Sequence, residues 1–489
     1  MRKFICIVIL FPIMAIAQSQ INRGDVNEDG VVDAADIVNI VKIIMQSQND
    51  NDSNTIDNNA DFDNISLFGI SEEIRPNLFI KEGYVSQKSD TIRIMRDGKA
   101  IAIVRLSEPV QVSQASEPEG WGFFQFPKIF RNEKGHLIVK WQMRADSHTD
   151  YGIDSFGRRI SYDEGETWIP LDEDCLDKEQ YRVELRNGGI LQVKDPTSKN
   201  ITEYSDFPLS INDYPINKRS FYFESDLPDD LRGVFLEYYY NNQSTIIHAS
   251  LNDSALLRYT IDDLMPIVWW GNLKELADET LVAGIYGSYY PNSDNKPLRS
   301  SVSFYGSNDR GHNWTIIGKI PYQPADGNSY DTYIYDGEDG FTEPAFEILK
   351  DSTYICVMRT GMSSPMYRSF SKDRGKHWSI PEPFTPNGVM PNILRLDNGS
   401  LVLTSGRPGL QVRFCIDGDG RNWTEPIEML PYTDINGNYN LFESSCGYSN
   451  ILAVNNNTFY LVYSDFKTRN DNGENRKSIL FRKIEVLKK

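Results

Sequence analysis

Four segments of one design recur along the chain: Ser161-Tyr-Asp163-Glu-Gly165-Glu-Thr-Trp168, Ser307-Asn-Asp309-Arg-Gly311-His-Asn-Trp314, Ser371-Lys-Asp373-Arg-Gly375-Lys-His-Trp378 and the looser Cys415-Ile-Asp417-Gly-Asp-Gly420-Arg-Asn-Trp423. Each reads as a hairpin corner. The Asp carboxylate accepts hydrogen bonds from turn amides, Gly takes a positive φ, and Trp packs beneath the loop. A single Asp-Gly turn before a Trp is unremarkable, but three full copies and a looser fourth make an internal repeat. Such a chain folds as a series of like β-units.

From about Phe68 onward, short β-branched and aromatic runs such as FLEYYYN, TYICVMRT, SLVLTSG and TFYLVYSDF alternate with Gly, Asn and Asp turns. Helical periodicity is almost absent there, so the class is all-β. The four corners resemble the Asp box of sialidase-type β-propellers. That resemblance implies a six-bladed propeller over residues 110–489, at about 60 residues per blade. A β-rich lead-in covers 67–109, and the stretch between Trp168 and Ser307 would hold blades that have lost the corner signature. Asp boxes face away from the site and occur in non-enzymes, so they speak to fold rather than function.

The first residues, MRKFICIVILFPIMAIAQ, combine a basic start, an apolar stretch and small residues at Ala15 and Ala17. This is the pattern of a cleavable secretory leader over 1–17, which places the mature chain in the periplasm, at the cell surface or outside the cell. No later run is apolar enough to span a bilayer. Cys175, Cys356, Cys415 and Cys446 then remain, without metal-like spacing; one or two disulfides, or buried free thiols, both fit. The net charge of −19 and the lack of a basic tract argue against nucleic acid. Against an anionic glycan the charge counts for little, because screening over about 8 Å leaves the pocket's own charges in control.

Residues 25–36 have the spacing of a calcium loop, with oxygen ligands at Asp25, Asn27, Asp29, Asp33 and Asp36, the carbonyl of Val31, and Gly30 at the sharp turn. The run IVNIVKIIM continues it as an apolar helix. This resembles a type I dockerin repeat, which implies a small helical Ca2+-binding module over 18–66 and a cohesin-like partner. A second repeat is vestigial: Asn59-Ala-Asp61-Phe-Asp63 lacks the glycine and the later ligands. The Asn/Asp/Ser-rich stretch from Gln46 to Asn64 also reads as a flexible linker.

Candidate chemistry is scattered at blade-like intervals, and its local contexts resemble bacterial exo-sialidases. Glu343 and Arg359 stand sixteen residues apart in TEPAFEILKDSTYICVMRTG, ahead of the corner at Ser371. Arg407 stands six residues before Arg413 in SGRPGLQVRFCIDGDG, as a substrate arginine does in that family. Tyr448 lies in CGYSNILAVNNNTFYLVYSDF, which resembles the segment of the tyrosine nucleophile; among 26 tyrosines only this context singles it out. RADSHTDYGID offers Asp146, Asp150 and Asp154 for the acid/base, and Asp150, eleven residues ahead of Ser161, matches best.

The resemblance implies a secreted retaining exo-glycosidase acting on a terminal acidic sugar, sialic acid or a related ulosonic acid, with no cofactor in the chemistry. A carboxylate on the anomeric carbon repels an Asp or Glu nucleophile, whereas a phenol approaches it uncharged. Glu343 takes the phenol proton, Asp150 protonates the leaving oxygen and then activates water, and arginines hold the sugar carboxylate. One position departs from the family. In WGFFQFPKIFRNEKGHLIVKW, Gln125 stands where the first carboxylate-binding arginine belongs, a loss of about 2 kcal/mol or more unless Arg144 or Arg159 supplies the charge. The alternative is a non-catalytic carbohydrate-binding propeller, which needs the arginines but not a Tyr448–Glu343 contact.

Overall fold

The computed structural model describes residues 90–489 apart from 133, 154, 172–181, 195–196, 216, 242, 324–338, 362–363, 408 and 431–443, with a short strand pair at Phe79–Ile80 and Tyr84–Val85 before them. The leader, the calcium loop with its helix, Asp154 and Cys175 lie outside the described residues. Within them the chain is nearly all strand, with single 3-10 turns at His148–Asp150, Ile201–Glu203 and Glu224–Asp226.

Most strands form four-stranded antiparallel meanders in chain order. The first runs through Phe123–Arg131, Leu137–Met143, Phe156–Ser161 and Ile169–Pro170. A second (Val183–Glu184, Ile190–Val193, Val234–Tyr240, Gln243–Asn252) and a third (Trp270–Glu275, Leu281–Ser288, Ser301–Ser307, Asn313–Ile320) join into eight strands through a parallel pairing of Ser250–Asn252 with Asn313–Thr315. A fourth spans Thr342–Ile348 to Glu382–Thr385, and a fifth Val389–Arg395 to Ile427–Leu430. The last combines Ser449–Asn455, Thr458–Arg469 and Asn475–Lys488 with Lys99–Leu106 and Asp90–Arg96, while Val110–Gln114 also pairs with Asn475–Lys488. The chain thus closes on itself. The boundary drawn from sequence between 109 and 110 falls inside this sheet.

The stretch between Trp168 and Ser307 is not made of meanders alone. A separate five-stranded sheet is inserted there, built from Thr197–Asn200, Asn212–Tyr214, Arg219–Phe223, Leu257–Ile261 and Leu264–Ile267.

The repeated corners are confirmed atom by atom in three copies. Ser161 Oγ donates to Asp163 Oδ1 at 2.8 Å and accepts from Gly165 N at 2.8 Å; Thr167 N donates to Asp163 Oδ1 at 2.9 Å, and Trp168 Nε1 to the Gly165 carbonyl at 3.1 Å. Ser307, Asp309, Gly311 and Trp314 repeat this pattern, as do Ser371, Asp373, Gly375 and Trp378. Hydrogen bonds from Thr167 and from the His377 amide hold the Asp163 and Asp373 carboxyls down to about 2. The fourth copy is corrected by one insertion. Asp419, not Asp417, accepts the turn amides of Arg421 (2.8 Å) and Asn422 (3.2 Å), while Asp417 pairs with Arg96.

Each corner also ties its sheet to the preceding one. Trp168 meets Phe481 of the last sheet, with ring centroids 5.5 Å apart, Trp378 stacks on Phe304 of the third, and Trp423 meets Phe384 of the fourth. The corner glycines sit under the same neighbours: a Cβ on Gly165 (φ +93) would lie 2.3 Å from the Phe481 ring, so only glycine fits. Core clusters between successive sheets continue the circuit, and the one around Val139, Trp141, Val462 and Phe481 joins first to last. Middle strands such as Tyr354–Arg359 and Leu401–Gly406 are buried on both faces, which is why they read as unbroken apolar runs. Cys356, Cys415 and Cys446 are buried free thiols.

Candidate active site

An antiparallel meander brings the start of its first strand and the end of its second to one end, and sends the corner between its third and fourth strands to the other. Glu343 is the second residue of Thr342–Ile348 and Arg359 the last of Tyr354–Arg359. Arg407 follows Leu401–Gly406, and Tyr448 precedes Ser449–Asn455. Topology therefore delivers all four to the end opposite the corners.

There they touch. The Tyr448 hydroxyl donates to Glu343 Oε1. Arg359 Nη1 donates to the same oxygen at 2.8 Å and to the Tyr448 hydroxyl at 3.3 Å, while its Nε donates to the Gly361 carbonyl at 3.1 Å. Glu343 Oε2 accepts the Met390 amide at 2.7 Å, so both carboxylate oxygens are held. The Arg407 guanidinium lies 5.5 Å from the centre of the Tyr448 ring and 5.7 Å from that of Trp121, anchored by an Nε hydrogen bond of 3.1 Å to the Cys446 carbonyl. Two arginines thus flank one phenol. Phe126 braces its ring edge-on at 4.9 Å.

Burial pushes the Tyr448 phenol well above its ordinary value, and the charge of Glu343 adds to the rise against the opposing pull of Arg359 and Arg407. The resting hydroxyl is neutral. Burial also opposes the charge on Arg359, but Glu343 and Tyr448 outweigh it and keep the guanidinium protonated.

A cavity of about 360 Å³ opens over this cluster, lined by Glu343, Tyr448 and Met390 and, across from them, by Arg144, Asp146, Lys194, Trp270 and Tyr286. Of the loop acids, Asp146 is on the wall, its Oδ2 accepting from Trp121 Nε1 at 3.1 Å. Asp150 is not. It closes the 3-10 turn, bonds Thr149 Oγ1 through its side chain at 3.2 Å, and gives its carbonyl to Arg144 Nη1 at 2.5 Å. The choice of Asp150 on distance from the corner is therefore corrected to Asp146: the 3-10 turn takes up residues that a simple count assigns to an extended loop.

Arg144 lines the cavity, whereas Arg159 lies 5.8 Å over the Trp141 ring on the third strand. Gln125 is fully buried and off the cavity wall. Its Oε1 accepts the Gly122 amide at 3.1 Å, and its Nε2 has no partner among the described residues. Phe126 and Pro127 line the cavity in its place.

Met390 and Phe126 were not legible as site residues, yet a signal for them exists. Phe126-Pro127, Glu343-Pro344 and Met390-Pro391 all stand near the start of a first strand, each at a register shift, with φ of +53°, +47° and +43° on the residue before proline. Such backbone costs on the order of 1–3 kcal/mol per residue and aims these three side chains into the cavity. Trp121, Tyr151 and Tyr259 carried no motif at all.

No family model matches the sequence, and no curated protein matches it. Solved structures with a similar fold include a protein of unknown function from Dyadobacter fermentans, at 14% identity and a TM-score of 0.49, covering 77% of this chain and 99% of that one. A Hadza microbial sialidase is similar at 16% identity (TM-score 0.44; 83% and 74% covered). A Penicillium chrysogenum alpha-L-arabinanase complexed with arabinobiose is similar at 15% identity (TM-score 0.45; 77% and 98% covered). Identities this low leave substrate and reaction to be argued from the side chains.

Proposed function

We propose that the protein is a retaining exo-glycosidase of sialidase type, on a six-bladed β-propeller, that removes a terminal acidic sugar from a glycan. The observation that carries this reading is the Tyr448–Glu343 hydrogen bond with Arg359 on the same carboxylate oxygen. A propeller that only binds carbohydrate needs the arginines but gains nothing from a base on the phenol. In the first step the Tyr448 oxygen attacks the anomeric carbon while the bond to the leaving oxygen breaks. The phenol proton passes to Glu343, and Asp146 protonates the leaving group. Asp146 then takes a proton from water, which displaces the phenol oxygen as Glu343 returns its proton. Arg359 and Arg407 hold the sugar carboxylate by charge-assisted hydrogen bonds.

The blades of this proposal are the meanders beginning at Phe123, Val183, Trp270, Thr342, Val389 and Ser449, the last completed by the strands at 90–106. The leader at 1–17 and the loop at 25–36 extend it to export and to a Ca2+-ordered N-terminal module for a cohesin-like partner, separate from the chemistry. Calorimetry of calcium binding to residues 18–66 tests that part, and absence of heat refutes it. The function itself is tested on a panel of aryl glycosides of sugar acids. Turnover that disappears in Tyr448→Phe is expected, while binding without turnover of any member contradicts it.

A further inference from the structure

The cavity has two chemically different ends. Glu343, Tyr448 and Asp146 bring charge and proton transfer to one, and the other is an aromatic wall of Tyr151, Phe156, Tyr259, Trp270 and Tyr286. Trp270 stacks on Tyr286 with centroids 5.7 Å apart, and Tyr151 meets Trp270 edge-on at 6.0 Å. Two of these rings come from outside the meanders. Tyr259 belongs to the inserted sheet, and Tyr151 to the loop between Met143 and Phe156. Ser198 Oγ of the inserted sheet donates to the His148 carbonyl of that loop at 3.1 Å, so the two segments are tied together. Tyr259 is further clamped by the Arg219 guanidinium at 4.7 Å and the Tyr289 ring at 5.5 Å. The wall is therefore preformed.

We propose that this aromatic wall is a leaving-group subsite that stacks a neutral sugar, the residue to which the acidic sugar is joined. The placement rests on the assignment of Asp146 under the proposed function. Tyr151 and Phe156 follow Asp146 on one loop, so an acid at the leaving oxygen sets the departing sugar against their rings. The C–H face of a pyranose packs on aromatic rings, and the cations nearby are already engaged. Arg144 donates to the Asp150 carbonyl, and Lys194 lies 4.0 Å from the Glu237 carboxylate. Burial holds the Tyr151 and Tyr259 phenols neutral, which leaves their hydroxyls as donors to sugar oxygens.

The test is a saturation-transfer NMR titration of the full chain with lactose, N-acetyllactosamine and cellobiose, beside a 6-sulfated lactose. At least one neutral disaccharide is expected to bind saturably, with affinity falling fivefold or more in Tyr151→Ala and in Tyr259→Ala. If Tyr259→Ala does not fold, the loop variant Tyr151→Ala decides. No neutral disaccharide binding, or unchanged affinity in a folded variant, overturns the subsite, and tighter binding of the sulfated sugar overturns its neutral assignment. The titration needs no turnover, so failure of the glycosidase reading is seen separately, as the absence of hydrolysis of any sugar-acid glycoside.

Discussion

Tyr448 can act only if its proton leaves as it attacks, because its burial and the adjacent Glu343 charge make a free phenolate costly at neutral pH. Glu343→Gln is therefore expected to lower turnover about a thousandfold or more, and raising the pH to about 9 is not expected to restore it, since burial still holds the phenol protonated. Recovery of activity at that pH would show that Tyr448 ionises without Glu343. At the leaving group, Asp146→Asn should cost about a hundredfold or more on a poor leaving group and far less on an aryl glycoside, with Asp150→Asn near wild type. The reverse ranking would restore Asp150. The difference between these acids shows where sequence stops. Glu343, Arg359, Arg407 and Tyr448 were legible because strands fix their spacing, whereas the loop acid depends on a 3-10 turn that no residue pattern announced. Gln125 was found as a position, but its buried amide and its replacement on the wall by Phe126 follow from register shifts at the strand start.

At the scale of elements, the corner is a link between neighbouring sheets as well as a turn. Asp419→Ala removes the acceptor of two turn amides beneath buried Trp423 and should destabilise the protein by about 1–2 kcal/mol. Asp417→Ala removes only an exposed pair with Arg96 and should cost under about 1 kcal/mol. Urea denaturation of both variants checks this, and equal losses would mean that Asp417 shares the turn. The repeat itself was plain in the sequence because its contacts lie within eight or nine residues. The inserted sheet was not, because its strands at 197–223 and 257–267 pair across the intervening hairpin of the second meander, and that long-range pairing has no local signature.

For the whole molecule, closure depends on the strands at 90–106. They place Ile92, Ile94, Ala102, Val104 and Leu106 in one core cluster with Phe459, Ile484 and Val486. A chain starting at Phe68 is expected to fold and retain turnover, whereas one starting at Val110 should be insoluble or lack a cooperative thermal transition. A stable, active chain from 110 would mean that the circuit closes without those strands. The central claim is that Tyr448 becomes covalently bound during turnover, and mass analysis of the intact protein addresses it directly. After reaction with a 2,3-difluoro derivative of the acidic sugar, the account predicts a single glycosyl addition that maps to the peptide containing Tyr448 and is absent in Tyr448→Phe. No addition under conditions where the native glycoside is hydrolysed, or an addition on Asp146 or Glu343, would contradict it.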